Sequence, residues 1–138
     1  MMAKWNVSDM GLEYYNPDEA AQTPMGMVKQ FVRVSGQTPD AYLYGNLIGE
    51  EYHEWADELL NNPGTALELK ELTDLLYVIY GYANAKGWDI EEAFRRVHAN
   101  NMGRMYQPDG KIKRRADGKI MKNPDYPKVT LGDLVCRT

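Results

Sequence analysis

Between Val34 and Leu69 this 138-residue chain has no lysine and no arginine, although seven acids fall there: Asp40, Glu50, Glu51, Glu54, Asp57, Glu58 and Glu68. That stretch has no cation of its own with which to neutralise its carboxylates. Cysteine is almost missing as well. Cys136 stands alone near the C-terminus, which excludes an intrachain disulfide and makes it a bystander. No apolar run approaches the roughly 20 residues of a membrane span, so no membrane role is expected. The opening residues lack a basic start followed by an apolar run, so the cytoplasm is the default location. No low-complexity tract and no internal repeat stands out.

What is present suits one folded domain. Hydrophobic residues make up 43% of the chain, too many for a disordered one. The net charge of −4 argues against general nucleic-acid binding. Its distribution is uneven: from Arg104 to Lys128 there are eight bases and three acids. An acidic end and a basic end suit a cation-dependent site for a polyanion, and equally two solvated faces.

Helical periodicity dominates the middle. Residues 1–23 read as an irregular N-terminal arm. Thr23-Pro24 has the chemistry of an N-cap followed by a first helical residue, and Met27, Val28, Phe31, Val32 and Val34 follow at helical spacing up to Ser35-Gly36. Asp40 caps a second helix whose stripe is Leu43, Leu47, Ile48, Trp55 and Leu59, stopped at Asn61-Asn62-Pro63-Gly64. Thr65 and Glu68 form a capping box for a third, apolar on nearly every side from Leu72 to Ala83 and so expected to be the most buried. Asp89 caps a fourth, with Ile90, Ala93, Phe94, Val97 and Met102 inward. The expected fold is all-α: a four-helix core over 24–106 and a basic C-terminal tail over 107–138. In the tail, Asp109-Gly110 and Asp117-Gly118 are turn signals, and the runs 111–115 and 119–122 could pair as a hairpin.

The anomaly lies in the second helix. With Leu43 at zero on a 100° wheel, Glu50 falls near about −20°, Glu54 near about 20° and Glu51 near about 80°, inside the apolar stripe. Glu71 and Asp74 repeat the oddity on the third helix. Burying an unpaired carboxylate costs several kcal/mol, and Lys70 is the one base available before that helix's last turn. Four or five inward acids exceed one lysine. All-oxygen ligation suits Mg²⁺, with Mn²⁺ able to substitute, and so many anionic ligands suit two or more ions bridged by phosphate.

The spacing Glu51-x-x-Glu54, sixteen residues, then Glu71-x-x-Asp74 resembles the signature of the MazG-like all-α nucleoside triphosphate pyrophosphohydrolases, the superfamily that includes phosphoribosyl-ATP pyrophosphohydrolase. The run Asp74-Leu75-Leu76-Tyr77-Val78 carries the resemblance further. So do Val97-His98-Ala99-Asn100-Asn101-Met102 and Gly118-Lys119-Ile120-Met121-Lys122, which look like short phage-type members. The resemblance implies Mg²⁺-dependent hydrolysis of a nucleoside triphosphate to monophosphate and pyrophosphate, with water attacking the α-phosphorus. It implies Glu51, Glu54, Glu71 and Asp74 as metal ligands and Glu50 as general base. Asn101, Arg104, Lys119, Lys122 and Tyr126 would bind substrate. It also implies a homodimer or homotetramer, in the host cytoplasm if phage-encoded.

Within that reaction dGTP, GTP or dCTP is favoured, with phosphoribosyl-ATP or dUTP as alternatives. Two other classes compete. Glu50-x-x-His53 matches half of a di-iron carboxylate pattern, but the third helix has no matching histidine. A non-enzymatic helical binding protein would leave the inward acids without a use.

Overall fold

Each of the four longer helices starts where a side chain has the chemistry to cap it. The computed structural model describes residues 23–135. The expected arm up to residue 22, and Cys136, lie outside the described residues. Helix α1, Pro24–Ser35, begins where Thr23 Oγ1 accepts the Gly26 N–H at 3.1 Å. It ends at Gly36, whose φ of 69° is left-handed and costs glycine nothing. Helix α2, Ala41–Asn61, is capped by Asp40 Oδ1, which accepts from the amides of Tyr42 and Leu43 at 2.9 and 3.3 Å. Helix α3, Ala66–Lys86, has Thr65 Oγ1 at 3.4 Å from the Glu68 amide. Glu68 reaches back one residue further than a capping box requires and accepts from the Gly64 N–H. Helix α4, Ile90–Arg104, is capped by Asp89, and Glu91 and Glu92 occupy its first turn, where the helix dipole favours them. A single turn, α5, Gly132–Val135, follows. The fold is all-α, with no regular strand among the described residues.

The chain divides between Lys86 and Gly87 into two compact units. In the first, α3 packs against both α1 and α2. Val32, Tyr44 and Val78, one from each helix, form the buried core, with Leu47, Ile48, Tyr82 and Ala85 against it. Phe31 and Tyr77 meet edge to face at 5.9 Å between α1 and α3. Tyr44 lies flat on the backbone of α3 where Gly81 has no side chain, and a Cβ there would overlap the ring. Helix α3 is central to its unit, packed on both α1 and α2, but its apolar girth is covered only in part. Val78, Gly81 and Ala83 are buried, but Leu72, Leu76 and Tyr77 are exposed. Within its unit the helix has two neighbours, α1 and α2.

In the second unit the tail runs back along α4. The Asn123 amide donates to the Arg104 carbonyl at 2.7 Å, the Tyr126 phenol sits on Gly103, Asn100 donates to the Pro127 carbonyl, and Arg96 holds Asp133 through two bonds of 2.7 and 2.9 Å. The tail therefore covers the Arg96–Asn100–Gly103 face. Phe94, Val97 and Met102, expected inward, are exposed, and α4 has no buried residue.

The expected pairing in the tail is present as two antiparallel bridges, Tyr106 with Ile112 and Arg114 with Ile120. Two turns of the same design create them. At Gln107–Lys111 and again at Arg115–Lys119, a glycine with positive φ closes the turn and an aspartate accepts the amide two residues on. These turns share the four-residue sequence Asp-Gly-Lys-Ile, at 109–112 and 117–120. The expectation of no internal repeat missed it, because it is shorter than any solenoid period.

A Gly81→Ala chain should be less stable by about 1–3 kcal/mol, the usual cost of overpacking, because Tyr44 must tilt out of the core. Urea unfolding measures it; a variant as stable as the parent would mean that α2 and α3 can separate freely at this point.

Candidate metal centre

Glu51 projects from α2, and Glu71 and Asp74 project from one face of α3. Each of the three supplies an oxygen lying within 4.8 Å of the others. Glu51 reaches this gap because the buried face of α2 centres on Tyr44, near about 100° on the wheel used above, rather than on Leu43. Tyr44 is buried and Leu43 is 42% exposed. Glu51, near about 80°, thus stands in the middle of the packed face, while Glu54 and Glu50 lie about 80° and about 120° from its centre. Both are exposed. The expectation of three carboxylates inside the stripe is corrected to one.

Burial and like charge govern the electrostatics. The Glu51 carboxyl is pushed above the usual carboxylate range, first by desolvation and then by the charges of Glu54, Asp74 and Glu71. Glu54 is therefore close enough to be felt, although it is not one of the three converging groups. One oxygen each of Glu51 and Glu71 is buried with no hydrogen-bond partner, and so is the indole N–H of Trp55, one turn along α2. Lys70 reaches Glu71 at 3.1 Å and Asp74 at 2.8 Å, and these bonds hold its ammonium well above the usual lysine range.

The residues fit a hard divalent cation. The donors are all carboxylate, they come from two rigid helices, and two buried oxygens lack any other partner. No histidine joins the cluster among the described residues, and His53 is exposed, stacked edge-on with Tyr52. That removes the histidine a di-iron pattern needs.

The expected substrate residues belong to the second unit. Arg104 donates to Asn101 Oδ1 at 3.0 Å, and its buried Nε has no partner. Tyr126 is turned onto Gly103. Lys119 and Lys122 are exposed, and neither ammonium has an ion pair among the described residues. Sequence reasoning counted Lys70 only as too small a charge to balance the acids. Its i, i+4 spacing to Asp74 was the readable signal that it would engage them.

A helical chain in which Glu51 of α2 meets the i, i+3 pair Glu71 and Asp74 of α3 defines the class. The family model of phosphoribosyl-ATP pyrophosphohydrolase matches residues 20–101, and the chain belongs to that family. It is a pyrophosphohydrolase-type enzyme. No curated protein is detectably similar to the chain. No helix among the described residues is long and apolar enough to cross a membrane.

The raised Glu51 carboxyl has a consequence for stability. A carboxyl whose folded pKa exceeds its unfolded value binds its proton more tightly in the folded chain. Stability is therefore gained as pH falls through the folded pKa and is absent above it. In chelator, thermal stability should rise as pH falls from neutral toward the ordinary carboxylate range, and Glu51→Gln should flatten that rise without lowering stability at neutral pH. Parallel pH profiles for the two chains would show that Glu51 carries no such strain.

Proposed function

We propose that the enzyme hydrolyses a nucleoside triphosphate to the monophosphate and pyrophosphate with Mg²⁺ held by Glu51, Glu71 and Asp74, and with Glu54 at the edge of the site. The observation that carries this is the convergence of three carboxylate oxygens within 4.8 Å on α2 and α3 of a chain in this family. Mn²⁺ would substitute, and two or more ions suit a site this acidic.

When bound, the metal neutralises phosphate charge and makes water a better nucleophile. The remaining work belongs to side chains. Glu50, exposed beside Glu51, takes the proton as water oxygen bonds to the α-phosphorus. The bond from that phosphorus to the α–β bridging oxygen breaks, and pyrophosphate leaves. Asn101, Arg104, Lys119 and Lys122 are proposed to bind the phosphates, on the resemblance of residues 97–102 and 118–122 to family members. Tyr126 is proposed to support them from its place on Gly103. The favoured substrates are dGTP, GTP and dCTP. Phosphoribosyl-ATP follows, since the family's own description names it, and then dUTP.

Incubation of this nucleotide panel with Mg²⁺ should release pyrophosphate and monophosphate in equal amounts from at least one member, and Glu50→Gln should lower kcat by roughly 10²-fold or more. Release of single phosphate would contradict attack at the α-phosphorus.

Assembly as a homodimer or homotetramer belongs to the same proposal. Leu60, Leu69 and Phe94 are 80%, 64% and 73% exposed, and large apolar side chains left open in this number suit burial against another copy. Light scattering should find a dimer or tetramer at micromolar concentration; a fully active monomer would remove this part.

A further inference from the structure

The acids between α2 and α3 already hold one cation, and it belongs to the chain. Lys70 Nζ lies 3.1 Å from Glu71 Oε1 and 2.8 Å from Asp74 Oδ2. An exposed i, i+4 ion pair is ordinary on a helix. This one differs in what it engages, because both its carboxylates belong to the converging group of three.

Its neutralisation is incomplete in a specific way. Lys70 takes Glu71 Oε1, while Glu71 Oε2 and Glu51 Oε2 are buried without partners. The lysine side chain is 62% exposed, against 14% for Glu71. The ammonium thus serves the outer oxygens and leaves the inner ones to something smaller and more highly charged. Glu51, Glu71 and Asp74 would hold a Mg²⁺ or Mn²⁺ ion, and two of these three carboxylates are the ones that Lys70 engages. Two cations would then compete for the same two carboxylates, and the one with the larger charge and shorter bonds prevails.

We propose that Lys70 is the built-in counter-ion of the metal-free site, displaced from Glu71 and Asp74 when a divalent cation binds. This rests on the reading that Glu51, Glu71 and Asp74 hold that cation. Lys70 is then a positioning residue: it keeps the α3 carboxylates pointing into the gap in the absence of metal, and the cation must outcompete it to load.

The test is Mn²⁺ binding by calorimetry to the full chain, to Lys70→Gln, and to Arg33→Gln, which removes the same charge from α1 in the same unit. Lys70→Gln should bind Mn²⁺ about three- to tenfold more tightly, the range expected on freeing carboxylates from exposed ion pairs, while Arg33→Gln changes less than about twofold. A second readout needs no variant. The ¹⁵N signal of the Lys70 ammonium, protected by its two acceptors in chelator, should be lost to fast exchange when Mg²⁺ saturates the protein. Equal affinities for parent and Lys70→Gln, or a Lys70 signal unchanged by saturating Mg²⁺, would overturn the displacement while leaving the metal site standing. Failure of the parent to bind Mn²⁺ at all would overturn the metal site, and the role of Lys70 with it.

Discussion

Three carboxylate oxygens within 4.8 Å of one another repel, and the rest of the first unit has to hold them there. At about 4 Å each pair of charges costs roughly 1 kcal/mol in water and roughly 4 kcal/mol near a protein surface. The restraint comes from packing beside the acids. Tyr44 sits about two turns before Glu51 on α2, and its ring occupies the space that Gly81 leaves on α3. Val32 and Val78 close the same core. Hydrophobic burial fixes the spacing of α2 and α3, and that spacing forces the acids together. The raised carboxyl of Glu51, the unpartnered oxygens and the bridging lysine are three responses to one constraint.

The second unit is built on different physics. Helix α4 buries no residue, and the tail is tied to it by hydrogen bonds and by the Arg96–Asp133 pair. Glu92 accepts from Arg95 and Arg96, so the clamp is a network with one end on α4 and the other on α5. Polar attachment of this kind holds a chain in register without an extensive apolar seam. It leaves the lysines of the two Asp-Gly turns, Lys111 and Lys119, at the surface.

Local chemistry was legible in the sequence, and facing surfaces were not. Thr23, Asp40, Thr65 and Asp89 each cap the helix that their side chains announced, because a cap is decided within four residues. The Asp-Gly turns were equally local. Taking Leu43 rather than Tyr44 as the inward direction of α2 turns the packed face by about 100°, which moves Glu50 and Glu54 from solvent to core. Which apolar residue points inward depends on what waits opposite, and here that is Gly81 on the next helix. The same limit applies to α4, whose contact face is the polar one, since the tail brings hydrogen-bond acceptors rather than side-chain bulk.

The two acidic pairs have the same spacing and different surroundings. Residues three apart on a helix are about 60° from eclipsed, so both members of a pair stay together only where the packed face is wide. On α3, squeezed between neighbours and apolar over most of its girth, Glu71 and Asp74 both turn toward Glu51. On α2 the packed face is narrow, and Glu54 falls beyond its edge while still contributing charge to Glu51. The acids therefore form a half-buried, converging set of three with an exposed outer pair, Glu50 and Glu54. A converging set suits a cation held by the protein. In the proposed reaction the outer pair would act on water and the converging three would hold the cation, a division that would follow their difference in exposure.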